Sequence, residues 1–275
     1  MKKTLRETLV SYGLLTAGGL VLAFPFYYMA VTSMKTGKEV NQPIPTFLVR
    51  HPSLEAFHDL LKDPLIYHGI FNSVIIAALQ TVGTLFFCTL AGYAFAKHRF
   101  PGKNLFFLAL LATMMIPGAV LMIPGFLLFR DLGWLDTWAP LIVPGLGGAF
   151  GVFLARQFIE KIPDSLVESA RLEGCSEPRI YSTIIVPLSK PLVATLAILT
   201  FLGSWNSLVG PLIILLTESK FTLTLAISML QGRFPGKDNV QMAGAMISIV
   251  PLMIIFFVLQ KQVVASLANS GLKDV

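Results

Sequence analysis

Residues 69–96, GIFNSVIIAALQTVGTLFFCTLAGYAFA, decide the fold because none of them is Asp, Glu, Lys or Arg. A helix needs about 20 consecutive apolar residues to cross the hydrocarbon core of a bilayer. A strand of a membrane barrel would instead show apolar and polar residues alternating over about ten positions. This run does not alternate, so the sequence predicts a transmembrane helix here.

The rest of the chain repeats this pattern. Of its 275 residues, 55% are hydrophobic and only 13% are charged, which is not the composition of a soluble globular protein. The sequence therefore predicts an all-α, polytopic integral membrane protein whose six transmembrane helices fill residues 10–260. The fourth run is short and contains Pro144 and several glycines, so we expect it to be kinked, tilted or closely packed. The five further runs without a charged residue are 10–34, 104–129, 139–155, 192–216 and 239–260.

The distribution of basic residues predicts the orientation in the membrane. With six spans both chain ends lie on one side, together with the segments between spans 2 and 3 and between spans 4 and 5. These four segments carry 13 Lys and Arg residues against 8 in the opposite loops, so the positive-inside rule makes them cytoplasmic. No basic stripe with aromatic platforms accompanies the net charge of +6, so no nucleic-acid partner is expected. The four segments are 1–9, 97–103, 156–191 and 261–275.

The long cytoplasmic loop, residues 156–191, is an island of charge with the signals of a short helix. Ser165 and Glu168 have the spacing of a capping box, which predicts a helix start, and Gly174 predicts its end. A second helix is expected after Ser176, with Ile180 above Ile184 at the i and i+4 positions.

Two interpretations of this first helix remain open from the residues alone. A helix of about two turns is marginal in water by itself, so something must hold it. It either lies against its own membrane spans as a bracket, or it forms a rigid projection that docks into a partner.

The residues in this loop resemble a known family. The segment ESARLEG, followed by RIYSTIIVPLSKP, is similar to the EAA motif of binding-protein-dependent ABC importer permeases. The segments RQFIEKIPDSLVESARLEG and FLGSWNSLVGPLI resemble the carbohydrate-uptake branch, and the length resembles the smaller permease of maltose-type and glycerol-phosphate-type importers. The resemblance implies a multi-pass protein of a prokaryotic cell membrane that imports a sugar or sugar derivative.

The resemblance also implies a mechanism. The short helix would be the coupling helix, seated in a cleft of a cytoplasmic ATPase subunit. Glu168 would be its polar contact, Ala170 would keep its face narrow, and Gly174 would end it. Ser169 stands where the family usually has a second Ala, and Pro187 matches the Pro that closes the apolar run.

The partners implied are a second permease subunit in a heterodimer, two ATPase subunits and an extracytoplasmic solute-binding protein. ATP and Mg would bind to the ATPase subunits, and no cofactor to this chain. The segment GRFPGKD approaches a phosphate-binding loop, but Gly232 is one residue too close to Gly236, and Asp238 replaces the required Ser or Thr. The chain is therefore expected to be a transport subunit without catalytic residues or metal ligands.

Four polar or aromatic residues within the runs, or at their ends, are candidates for lining the translocation pathway: Asn72, Gln80, Trp205 and Asn206. Hydrogen bonding between helices is the competing interpretation. A permease for amino acids or peptides is an alternative function. An ion-coupled secondary transporter is a further alternative, but it would want ionisable residues inside the membrane, and the six runs contain no Asp, Glu, Lys or Arg.

Overall fold

A computed structural model describes residues 5–271, and within this range the chain is helical without a β-strand. The segments joining the helices include short 3₁₀ turns and one π-helix, Tyr181–Ile185. The α-helices are α1 (Leu5–Ser33), α2 (Gly37–Val40), α3 (Glu55–Lys62), α4 (Pro64–Lys97), α5 (Lys103–Thr113), α6 (Met122–Asp131), α7 (Ala139–Ile142), α8 (Ala149–Ile159), α9 (Asp164–Leu172), α10 (Glu177–Ile180), α11 (Val186–Leu188), α12 (Lys190–Trp205), α13 (Val209–Ile214), α14 (Leu223–Arg233) and α15 (Asp238–Gly271).

Four helical segments in the described range are long and apolar enough to cross a membrane: Thr8–Ser33, Pro64–Lys97, Ala139–Ile159 and Asp238–Val258. Two further pairs of consecutive helices are long and apolar enough only when the two helices of a pair are counted as one bent span. They are Lys103–Thr113 with Gly118–Asp131, bent by 88°, and Glu177–Leu188 with Lys190–Trp205, bent by 81°. The integral membrane fold is confirmed, and the count of six spans stays a prediction.

Three of the predicted spans are not single continuous α-helices. Helix α5 ends at Thr113, and the run 104–129 continues only after a sharp bend. Pro117 has no N–H to donate to the Thr113 carbonyl, which disfavours a helix through this point. The run 192–216 breaks after α12, and Pro211 likewise has no donor for Ser207. In the fourth run a 3₁₀ turn containing Pro144 follows α7, and Ala139–Ile159 still counts as one candidate span. The expected kink, tilt or close packing of this run stays a prediction.

The described chain divides into two compact units. The first comprises the residues up to Tyr67 together with Ala226–Val250. In it, the Asn239 side chain donates to the Lys35 carbonyl (3.0 Å), and Arg233 pairs with Asp63 (3.3 Å). Polar contacts therefore join the segment after α1 to the start of α15 and join the end of α14 to the loop before α4.

The second unit comprises His68–Leu225 together with the residues from Pro251 onward. Its core joins α4, α8, α9 and α12 through residues such as Tyr93, Ile159, Val167 and Leu196. Gly92 of α4 lets α8 approach closely, since a Cβ at this position would lie 2.5 Å from the Ala155 Cβ. This packing brings the end of α4 against α9.

The predicted terminal tails fall partly outside the described residues. Helix α1 already begins at Leu5 and α15 continues to Gly271, so helix extends into both predicted tails, 1–9 and 261–275. Residues 1–4 and 272–275 lie outside the described range.

Candidate functional site

The helix predicted in the charged loop exists as α9, and its C-terminus has the predicted chemistry. Gly174 has a φ of +80°, the left-handed conformation that glycine adopts without strain. The Cys175 N–H donates to the Ala170 carbonyl (2.9 Å), and the Gly174 N–H donates to the Arg171 carbonyl (3.0 Å). These two bonds form a Schellman motif, which satisfies the last carbonyls of the helix.

The predicted capping box at the other end of α9 is wrong. The helix begins at Asp164 rather than at Ser165, its N-cap position is Pro163, and no side chain caps it. Asp164 instead accepts a hydrogen bond of 2.6 Å from the Lys97 ammonium at the end of α4. This bond holds the pKa of the Asp164 carboxyl below its ordinary value. A tertiary ion pair has replaced the local cap.

Lys97 fastens the loop before α9 as well as the helix start. Its ammonium also donates to the carbonyls of Glu160 and Ile162, and its side chain is only 3% exposed. Because one ammonium has three donors, it satisfies both carbonyls and the Asp164 carboxylate together.

Glu177, the first residue of α10, joins both ends of this region. Its carboxylate accepts hydrogen bonds from the Tyr93 hydroxyl (2.6 Å) and from Arg171 Nε (2.7 Å). His98 Nε2 lies 3.2 Å from the same carboxylate. The bond to Glu177 raises the pKa of the Arg171 guanidinium above its usual value, so both partners remain charged. Helix α9 is thus tied to α4 near each of its ends.

Helix α9 has a buried face and an exposed face. Val167 and Ala170 point into the core and are 2% and 6% exposed. The small side chain of Ala170 serves the packing of α9 on its own unit, and its expected role in keeping a docking face narrow stays a prediction. Glu168 and Ser169 lie on the exposed side.

The exposed face also carries a residue that the sequence reasoning missed. Leu172 is 90% exposed, although it is apolar and follows Glu168 and Ser165 at helical spacings of four and seven residues. An apolar residue in register with the polar face was the signal available in the sequence. Beside this face, Glu168 borders a polar cleft of about 460 Å³ that Arg99 and Arg171 also line.

The second predicted helix begins at Glu177 as expected, but its face has a different period. Residues 181–185 form a π-helix, so side chains five residues apart share a face. Ile180 and Ile185 are fully buried together, whereas Ile184, the predicted partner of Ile180, is only partly buried. Pro187 is exposed within α11, just before the 81° bend.

The four candidates for lining a pathway have different surroundings. The Asn72 amide is buried and donates to the carbonyls of Ser219 and Phe221, both at 2.9 Å, which fits the structural interpretation. Trp205 is 1% exposed and stacks on Phe201, so it belongs to the core. Asn206 is exposed at the C-cap of α12. Gln80 lines two cavities.

Asp136 forms a second polar cluster that the sequence reasoning did not single out. Its carboxylate accepts hydrogen bonds from the backbone of Leu216 (2.9 Å) and Thr217 (3.0 Å) and from the Lys220 ammonium (2.9 Å). These bonds hold the pKa of Asp136 well below its usual range, with the Lys220 bond contributing most. The cluster locks the loop before α7 to the segment after α13.

The fold and these clusters define a membrane protein of apolar helices with two polar clusters, one around α9 and one around Asp136. Residues 88–269 match the family described as binding-protein-dependent transport system inner membrane component, and the chain belongs to that family. It is a transport component rather than an enzyme, and the predicted resemblance is confirmed. Among residues 8–258 and 260, whose side chains the structure describes, no group of three His, Cys, Asp or Glu side chains is placed to hold a metal ion.

Two relatives and one solved structure cover nearly the whole chain. The arabinooligosaccharides transport system permease protein AraQ of Bacillus subtilis is 33% identical over 92% of this chain and 92% of its own length. The lactose transport system permease protein LacG of Rhizobium radiobacter is 30% identical over 98% of this chain and 99% of its own length. A chain of a bacterial ABC transporter that imports the acidic polysaccharide alginate has a TM-score of 0.83 and 27% identity, with 95% of this chain and 99% of that chain covered.

Proposed function

We propose that this chain is the permease subunit of an ATP-driven importer and forms half of the translocation pathway for a sugar or sugar derivative. The similarity over almost the full length to permeases named for arabinooligosaccharides and lactose carries this proposal. The similarity to the transporter of an acidic polysaccharide adds to it. A permease for amino acids or peptides has no comparable support among these relatives.

Helix α9 is the coupling helix in this proposal. It is held by the core, by Lys97 and by Glu177, so its outer face is presented rigidly to a partner. The exposed Leu172 offers an apolar anchor, and Glu168 offers a charge beside it. The partner that fits is a cytoplasmic ATPase subunit with a cleft for one short helix.

The remaining assembly follows from the same proposal. A second permease completes the pathway, two ATPase subunits bind ATP and Mg, and an extracytoplasmic binding protein delivers the solute. The chain crosses the membrane six times, with residues 1–9, 97–103, 156–191 and 261–275 in the cytoplasm. This orientation is supported by the 13 basic residues on that side against 8 on the other.

The orientation is tested by cysteine labelling in intact cells. A membrane-impermeant thiol reagent should modify a cysteine introduced at Phe57 and should miss one introduced at Ser176. The reverse pattern would invert the proposed topology.

The coupling role is tested in a complex reconstituted from this chain, its partner permease, the ATPase subunits and the binding protein. Leu172→Asp and Glu168→Lys should reduce solute uptake and ATP hydrolysis together, while the amount of chain in the membrane stays unchanged. Lys161→Glu is the matched control, because Lys161 is exposed in the same loop but outside α9. Normal stimulation of ATP hydrolysis by loaded binding protein in both α9 variants would mean that α9 is only a bracket.

A further inference from the structure

Two neighbouring cavities in the second unit share part of their walls. One measures about 100 Å³ and the other about 240 Å³, and both are lined by Gln80, Gly203 and Ser204. By the same measure, one water molecule needs roughly 10–15 Å³, so the two spaces have room for a solute group and its water. Gln80 comes from the middle of α4, and the other two residues come from the end of α12.

The cavity walls carry hydrogen-bonding groups that the chain itself does not use. The side chains of Gln80, Ser204 and Ser207 make no hydrogen bond with any residue whose side chain the structure describes, which are residues 8–258 and 260. The Gln80 amide is packed over Gly145, where a Cβ would lie 2.2 Å from Nε2. The amide thus lies close against Gly145, and its two donors and its acceptor have no partner among the described side chains.

The walls contain no charged residue. Every residue that lines the two cavities is uncharged, and the polar ones are Gln80 with Ser and Thr hydroxyls. An anionic solute would lose hydration here without gaining a counter-charge from this chain, which is costly in a site of low polarity. A neutral hydroxyl group can instead exchange its hydrogen bonds to water for bonds to an amide or a hydroxyl.

We propose that the two cavities form one binding site for a neutral oligosaccharide, with Gln80, Ser204 and Ser207 as the hydrogen-bonding residues. The half-exposed ring of Phe150, in the wall of the larger cavity, supplies an apolar surface for the C–H face of a sugar ring. The proposal rests on the proposed function and narrows its solute from any sugar derivative to an uncharged one.

The test uses the complete complex in proteoliposomes, with three probes: lactose, arabinotriose and an alginate trisaccharide. We expect ATP-dependent uptake of a neutral probe and none of the acidic one. Gln80→Leu, which keeps the size but removes the amide, should raise the KM for uptake about 5-fold to 10-fold, as expected for one or two lost hydrogen bonds. Thr195→Val is the control, because the Thr195 hydroxyl bonds the Pro191 carbonyl of its own helix and lines neither cavity.

A second readout does not depend on transport. A cysteine placed at Ser204 should react with a hydrophilic maleimide, and the transported neutral sugar should slow this reaction while the alginate probe should not. ATP-driven uptake with the same KM in Gln80→Leu and Thr195→Val would overturn this inference and leave the proposed function standing. Preferred uptake of the alginate probe would also overturn it. An unmodified complex that imports none of the three probes would overturn the proposed function and this inference with it.

Discussion

The region around α9 and the cavity beside Gln80 use polar side chains in opposite ways. Around α9, Lys97, Asp164, Arg171 and Glu177 are all engaged with one another or with backbone carbonyls. In the cavity, the Gln80 side chain has no hydrogen-bond partner among the side chains that the structure describes. Paired groups hold an element rigid, whereas unpaired groups remain open to a ligand. This difference fits the two proposed roles, in which the α9 region couples the chain to an ATPase subunit and the cavity binds the solute.

The largest effect is expected at Lys97, the most engaged residue of the α9 region. Lys97→Met removes the donor to the carbonyls of Glu160 and Ile162 and to Asp164. Of these three acceptors only the carbonyl of Ile162 belongs to a buried residue, and an unsatisfied buried group costs about 1–3 kcal/mol. We expect a loss of up to about 3 kcal/mol in the free energy of unfolding, measured by denaturation in detergent. Lys161→Met is the control, since Lys161 is exposed. Equal stability of the two variants would show that the contacts of Lys97 do not hold α9.

The next largest effect is expected at Asp136. Its carboxylate is paired, as the charged groups around α9 are, but it lies in the loop before α7. Asp136→Asn weakens charge-assisted bonds to Lys220 and Thr217, for a loss of about 2 kcal/mol. Asp131→Asn is the control, because the pair of Asp131 with Arg130 is exposed and exposed pairs contribute about 0–1 kcal/mol.

The same carboxylate predicts a dependence on pH. The folded pKa of Asp136 lies below the unfolded value of about 3.9, so its contribution is complete above that value and is lost as the pH falls toward the folded pKa. Melting temperatures between pH 3 and pH 7 should therefore fall more steeply on the acid side for the unmodified chain than for Asp136→Asn. If the melting temperatures of the two chains changed in parallel with pH, the Asp136 carboxylate would not be the source of the acid-side loss.

A smaller effect is expected at Gly174. A Cβ at this position would meet nothing within 4 Å, so Gly174→Val acts only through the left-handed backbone, at about 1–2 kcal/mol. Gly174→Asn should lose less, since Asn tolerates this conformation. Similar losses in both variants, measured by denaturation, would show that backbone strain is not the cause.

The smallest effect is expected at Ser165. The sequence predicts a capping box here, whose loss would cost about 1 kcal/mol. In the structure Ser165 is exposed within α9 and does not cap it, so Ser165→Ala should change stability by less than about 0.5 kcal/mol. A loss of 1 kcal/mol or more would show that Ser165 does cap α9, as the sequence predicts.

The sequence could predict the features that depend on local chemistry. The run 69–96 predicted α4, because absence of charge over this length is decisive, and Gly174 predicted the end of α9. The sequence did not predict the start of α9, because Lys97, which lies 67 residues away from Asp164, replaces the local cap.

Other features depended on packing that a single sequence does not display. Uninterrupted apolar runs hid the breaks at Pro117 and Pro211, since absence of charge says nothing about helix continuity. The π-helix also changes which residue shares a face with Ile180, so Ile185 is buried there rather than the predicted Ile184. The grouping of Ser204 and Ser207 with Gln80 arises only when α4 packs beside the end of α12.

The most direct test of the contrast between the two regions is the number of solute molecules imported per ATP hydrolysed by the reconstituted complex. Leu172→Asp on α9 should lower uptake and ATP hydrolysis together, so that this ratio stays near that of the unmodified complex. Gln80→Leu in the cavity, assayed at a solute concentration below KM, should lower uptake while ATP hydrolysis stimulated by loaded binding protein stays within about twofold. The account therefore predicts a reduced ratio for Gln80→Leu alone. A ratio that falls for Leu172→Asp but not for Gln80→Leu would contradict it.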